Sequence, residues 1–137
     1  MVLALGHHAF QAEGALTQTA ADGKSAFDAY LGKPFPLEQA GTDGEVAGER
    51  SPYGLDLGIT YPHADVDALL ANAGQAIPAW RDAGSDARTG VVLEILRRIN
   101  ARSHELAQTV MHTSGQGYAM AFQAGGPHAQ DRALEAV

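Results

Sequence analysis

Cysteine is absent from the 137 residues. That excludes a disulfide framework, a cysteine-ligated zinc site and a thiol nucleophile within this chain. Aromatic residues are scarce at 7%, and charged residues stand at 18%. No apolar run approaches the roughly 20 residues needed to span a bilayer, so no membrane partner is expected. The opening MVLALGHHAF lacks the basic flank and long apolar stretch of a secretory signal, and the expected location is cytoplasmic. Basic residues are also few, nine Lys and Arg against sixteen Asp and Glu, for a net charge of −7. Residues 1–67 carry ten acids and three bases, whereas residues 68–137 carry six of each. The basic cluster of Arg97, Arg98 and Arg102, with Arg88 before it, reads as a solvated helix face. Nucleic acid, which needs clustered Lys and Arg against its phosphates, is not an expected partner.

What the chain does have is apolar content, 45% of its residues, in a length typical of one domain. The first ten residues carry no periodic signal, and residues 1–18 read as irregular. Residues 19–32 read as a short helix capped by Thr19, with Ala26, Phe27, Tyr30 and Leu31 on one face. Gly32 ends it, and Pro34 and Pro36 prevent continuation. Residues 38–49 form an acidic, glycine-punctuated loop. Leu55, Leu57, Ile59 and Tyr61 then alternate with polar or small residues until Pro62. The period of two predicts a hairpin of residues 45–50 and 55–61.

From Asp65 the period becomes helical. Asp65 caps a helix whose stripe is Val66, Leu69, Leu70, Ala73, Ile77 and Trp80, and Gly74 and Pro78 predict a kink or an end near Ala76. Ser85 or Asp86 caps the next helix, with Val91, Val92, Ile95, Leu96 and Ile99 as its buried stripe and Glu94 placed to pair with Arg98. Ser103 caps a continuation carrying Leu106 and Val110, which Gly115 ends. Gly125, Gly126 and Pro127 open a last helix with Ala129, Ala133, Leu134 and Val137 as its stripe. No Gly, Asn or Pro follows Val137, so the pattern reads as cut off within a helix.

No catalytic constellation is visible. The six histidines, His7, His8, His63, His104, His112 and His128, include no pair four residues apart, and no His-Glu-x-x-His occurs. There is no Gly-x-Ser-x-Gly elbow and no complete phosphate-binding glycine loop, since Met120 stands where Gly115-x-Gly117 would need a third glycine. Gly125-Gly126-Pro127 can bind an anion in principle but reads as a tight turn. Asp22, Asp28, Asp56 and Glu94 show no arrangement that singles out an acid–base pair. A metal site built on His7, His8 and His63 is the weakest reading.

The order of elements resembles the N-terminal region of the aldehyde dehydrogenase superfamily. VDALLANAGQAIPAWR at 66–81 is similar to that family's "Val-Asp…Ala…Trp-Arg" helix. RTGVVLEILRRINARSHELAQTVMHTSGQ at 88–116 is similar to its next helical stretch, with Gln116 in place of the usual Lys. ERSPYG at 49–54, LGITYP at 57–62, MHTSGQ at 111–116 and AFQAGGPHAQDRALEAV at 121–137 look like its PaaN-type branch of phenylacetate degradation. The resemblance covers roughly residues 20–137.

It implies a mainly α fold with a short β-hairpin, the N-terminal portion of an α/β dehydrogenase: helices of the cofactor-binding domain plus hairpin strands. It divides the chain into residues 1–18, then 19–64 with helix, loop and hairpin, then a helical 65–137. It implies NAD(P)-linked oxidation of a ring-cleavage aldehyde, in which a Cys attacks the aldehyde, hydride passes to the nicotinamide, and a Glu-activated water releases the acid. None of those residues falls within this chain, so no catalytic, cofactor-binding or metal residue is assigned, and the chain is expected to be inactive alone. NAD or NADP is implied only for the full-length family. The expected partners are the remainder of the dehydrogenase fold or homologous subunits, which would cover apolar helix faces left open here. The alternative is a stand-alone, non-catalytic helical interaction module.

Overall fold

The computed structural model describes residues 18–39 and 41–137. The irregular reading of 1–18 therefore lies outside the described residues except for Gln18. Among the described residues the architecture is mainly helical with one antiparallel two-stranded ribbon.

Helix α1, Ala20–Asp28, opens where the sequence places it. Thr19 Oγ1 accepts the Asp22 N–H at 3.1 Å while the Asp22 carboxylate accepts the Thr19 N–H at 3.0 Å. This reciprocal box satisfies two donors that a bare helix end leaves open. Phe27 is buried and Tyr30 and Leu31 are half-buried, as the helical spacing predicts.

The hairpin exists, but not where alternation put it. Strands β1, Thr42–Val46, and β2, Tyr61–Ala64, pair with Val46 opposite Tyr61 and Thr42 opposite Ala64, with an irregularity between Thr42 and Gly44. Of the expected ladder between 45–50 and 55–61, the isolated bridge Arg50–Asp56 forms. The alternation reports burial rather than pairing: Leu57 and Ile59 are buried, whereas Leu55 is exposed. Gly58, at φ +62°, interrupts extended backbone between them. The peptide groups there turn to the segment leaving α1, with Gly32 N–H donating to Leu57 O at 2.9 Å and Phe35 N–H to Thr60 O at 2.8 Å. Pro62 lies inside β2 rather than ending it, as the edge of a two-stranded ribbon permits.

Four of the remaining boundaries also differ. Helix α2, Val66–Asp82, starts with Asp65 accepting the Asp67 N–H at 2.9 Å and runs through Pro78 without ending near Ala76. It gives up the one hydrogen bond that Pro78 cannot donate and continues on good helix formers. Helix α3, Gly84–Ala101, follows after Ala83 alone and has no side-chain cap, so neither Ser85 nor Asp86 serves as one. Arg88 instead secures the junction by donating to the carbonyls of Arg81 and Trp80, two acceptors orphaned at the end of α2. Within the expected buried stripe of α3 only Leu96 is buried; Val91 and Ile95 are exposed.

Helix α4, Ser103–Ser114, begins at Ser103 with its hydroxyl turned back to Asn100 O at 2.9 Å, so Ser103 does not cap it. Gly115 ends it in the left-handed conformation at φ +77°, as predicted. Helix α5, Tyr118–Gly125, was not legible as a separate element. Helix α6, Pro127–Leu134, carries Pro127 at its start as expected but closes at Leu134, with Glu135 N–H bonded back to Asp131 O, rather than running on to Val137.

Helix α4 is the hub, packed between α1 and α5, and α6 rests on α5 and α3. The approach of α1 is close: a Cβ at Gly23 would lie 2.5 Å from the His104 carbonyl carbon. Phe27, Leu57 and Ile59 form the core cluster, with Tyr30, Leu31, Phe35 and Tyr61 packed around it. No described helix is long and apolar enough to cross a membrane.

Candidate functional site

Chemistry-bearing side chains gather around α4 because its sequence places polar residues on several faces. Ser103, Glu105 and Gln108 are all buried. Three clusters result.

The first centres on Glu105. Its carboxylate accepts from Arg102 Nε at 2.9 Å, from a second Arg102 nitrogen, and from the Tyr30 hydroxyl at 3.0 Å. The Glu105 N–H donates to Gln18 Oε1 at 3.2 Å. The guanidinium holds the carboxyl below its ordinary range and is itself held charged by it. Burial, and then the bond to Glu105, raises the Tyr30 hydroxyl. The network ties α1 to α4 and leaves no free acid or base.

The second cluster joins the loop after β1 to the end of α4. Ser51 Oγ and His112 Nδ1 are 2.9 Å apart, and Ser51 Oγ also accepts the Tyr53 N–H at 3.2 Å. The His112 ring stacks on Phe27 at 4.9 Å and meets the edge of Tyr53 at 6.0 Å. The Tyr53 hydroxyl donates to the carbonyls of Gly115 and Gln116. A serine beside a histidine is half of a nucleophilic arrangement. Here Ser51 is 3% exposed and already bonded to Tyr53, so no substrate carbonyl reaches its oxygen, and the pair acts as a clamp. The third cluster is His104, whose ring stacks on Phe122 at 4.6 Å and whose Nδ1 lies 2.7 Å from the Tyr118 hydroxyl.

The remaining sequence candidates disperse. Asp22 belongs to the cap of α1, Asp28 pairs with Lys24, and Asp56 pairs with Arg50. Glu94 binds both Arg97 and Arg98, which pull its carboxyl down to about 2. The basic cluster is thus divided between Glu94 and Glu105 and makes no anion site. His63 pairs with Asp43 at 2.6 Å across the ribbon, His128 is exposed, and His7 and His8 lie outside the described residues. Among the described residues no three His, Asp or Glu gather to hold a metal ion.

The glycine turn before α6 does not fit a dinucleotide. A Cβ at Gly126 would sit 2.8 Å from Phe122 O and 3.3 Å from Ser103, and the Gly126 N–H is spent on Phe122 O. A pyrophosphate needs open space and free N–H groups at such a turn, and this one is filled. Sequence reasoning missed the Ser51–His112 and Tyr30–Glu105 pairs, whose members lie 61 and 75 residues apart with no local pattern to join them.

One surface feature stands apart from these clusters. Every residue from 71 to 87 is exposed, including Ile77 at 62% and Trp80 at 47%, and Val66 and Leu70 are each 64% exposed.

The chain matches no protein-family model and no curated protein. It is similar to a crystal structure of an NAD-dependent aldehyde dehydrogenase from Burkholderia multivorans. The identity is 46% over 96% of this chain, with a TM-score of 0.81, and the chain spans 26% of that chain's length. This supports the aldehyde dehydrogenase superfamily and the reading of the fold as part of one.

Proposed function

We propose that this chain is the N-terminal portion of a PaaN-type, NAD(P)-dependent aldehyde dehydrogenase, a cytoplasmic enzyme that oxidises a ring-cleavage aldehyde of phenylacetate catabolism. The observation that carries the reading is the 46% identity sustained over 96% of the chain with a shared fold. The branch-like strings are the ground for the PaaN-type part of the reading, and three of them pack together. ERSPYG supplies Ser51 and Tyr53, which grip His112, Gly115 and Gln116 of MHTSGQ. Glu49 of the same string accepts the Tyr61 hydroxyl of LGITYP at 2.8 Å; burial, and then this bond, pushes the phenol up to about 12. Residues of the first three strings thus hold one junction.

The role of this portion is structural. It supplies no thiol, its serine–histidine pair is closed to substrate, and its glycine turn has no room for the cofactor. The attacking thiol, the base and the nicotinamide seat belong to other residues of the enzyme. Reading the coding sequence past codon 137 tests the proposal. Continuation into a cysteine-bearing dehydrogenase supports it, and an immediate stop followed by unrelated sequence refutes it. The chain alone, mixed with aldehydes and NAD or NADP, is expected to produce no absorbance at 340 nm.

A further inference from the structure

Two aspartates are followed directly by glycine, at Asp22–Gly23 and at Asp43–Gly44. An Asp-Gly step carries a latent reaction. The glycine amide nitrogen can attack the carbonyl carbon of the aspartate side chain, with no Cβ of its own in the way. The fold treats the two steps in opposite ways. At Asp22 the step is locked. The carboxylate accepts the Thr19 N–H at 3.0 Å and the Thr19 hydroxyl at 2.7 Å, and the Gly23 N–H donates to Thr19 O at 2.9 Å. Gly23 is also buried against α4, where a Cβ would lie 2.5 Å from His104. Turning the Gly23 nitrogen onto the Asp22 side chain would unwind the first turn of α1 and lift it off α4.

At Asp43 the step is open. Thr42 pairs with Ala64 and Gly44 with His63, which are neighbours on β2, so Asp43 is the extra residue on β1 and has no partner across the ladder. Every residue of β1 is exposed, and a ribbon of two strands holds its backbone weakly. A Cβ at Gly44 would meet only His63 Cβ, at 4.0 Å. The Asp43 side chain is 56% exposed, and its Oδ1 lies 2.6 Å from His63 Nδ1. A carboxylate oxygen departs only as water, so it needs protons. The protonated imidazole of His63 stands on the oxygen that would have to leave.

We propose that Asp43–Gly44 is a self-modification site that converts to isoaspartate through a cyclic imide, with His63 as the proton donor. The Gly44 nitrogen forms a bond to Asp43 Cγ, and the Cγ–Oδ1 bond breaks. The oxygen leaves as water, carrying the Gly44 amide proton and one proton from His63. The five-membered imide then takes up one water. Cleavage of the new bond between Gly44 nitrogen and Cγ restores aspartate. Cleavage of the bond between Gly44 nitrogen and the Asp43 main-chain carbonyl leaves Gly44 attached through Cγ. The acid released in either case returns its proton to His63 or to solvent, so the net change is an isomerisation without change of mass. It lengthens β1 by one methylene and moves the carboxylate away from His63.

The test is to age the purified chain at neutral pH in heavy-oxygen water, then digest it in ordinary water and separate the peptides by liquid chromatography with mass detection. Trypsin cleavage after Lys24 and after Arg50 puts the two Asp-Gly steps on different peptides. The Asp43 peptide is expected to gain one heavy oxygen and to split into two forms of equal mass, at least about tenfold faster than the Asp22 peptide, whose folded backbone must open first. Gly44→Ala, which has room for its methyl, is expected to slow the labelling about tenfold. His63→Gln keeps a hydrogen-bonding side chain, removes the proton donor, and is expected to slow it about tenfold or more. A merely structural His63 predicts the opposite, because a loosened ribbon lets Asp43 turn more freely. Absence of heavy oxygen at Asp43, or a Gly44→Ala chain that labels as fast as wild type, overturns the inference. Equal labelling of the two peptides does so too, since it marks the chemistry of an unfolded chain. A His63→Gln chain that labels at the wild-type rate or faster overturns the assignment of the proton donor.

Discussion

Replacing Glu105 with Gln preserves shape and removes one charge from the network that ties α1 to α4. The carboxylate takes a two-nitrogen grip from Arg102 and a bond from the Tyr30 hydroxyl, and its side chain is 7% exposed. Breaking a fully buried ion pair costs about 3–5 kcal/mol because a charge is stranded. Arg102 is half exposed, so its freed guanidinium returns to water, and the discounted loss is about 2 kcal/mol. With a urea dependence of about 2 kcal/mol per molar for a chain of this size, the midpoint falls by about 1 M at pH 7. The measurement is urea unfolding followed by circular dichroism at 222 nm. The effect depends on pH with a definite sign. Arg102 lowers the Glu105 pKa in the folded state, so its stabilisation is present above the unfolded value of about 4.3 and is lost as pH falls through the folded value. The gap between wild type and Glu105→Gln therefore narrows as the pH falls from the unfolded value through the lower folded value. Equal midpoints at pH 7, or a gap that does not narrow on acidification, would refute the reasoning.

Three further outcomes follow from the same packing. Gly23→Ala places a methyl 2.5 Å from the His104 backbone, and the clash outweighs the gain of about 1 kcal/mol that Ala brings to a helix. Pushing α1 off α4 is expected to cost about 3 kcal/mol, and a melting temperature within a degree of wild type contradicts it. Gly115→Ala forces a side chain into the left-handed region and against Pro52 at 3.2 Å, for a loss of about 1–2 kcal/mol read by chemical denaturation. Thr19→Ala removes one arm of the cap of α1 and is expected to cost about 1 kcal/mol, with faster amide exchange confined to the first turn.

What the residue pattern disclosed and what it concealed divide along the range of the interactions. Caps and stops that depend on one residue and its near neighbours were legible. Thr19, Asp65, Gly115 and Pro127 all act as their chemistry requires. The alternation at 55–61 named the buried residues Leu57 and Ile59 correctly and assigned the wrong strand pairing. Period-two burial arises whenever extended backbone lies on a core, and the partner of that backbone, here the segment after α1, is set by tertiary contact. The stripe on α2 shows the converse. Its periodicity is as regular as that of any core helix, yet among the described residues nothing buries the face, because periodicity records which face of a helix is apolar and not what lies on it. The candidate site was least legible, since its pairs join residues 61 and 75 positions apart through single hydrogen bonds that leave no trace in composition.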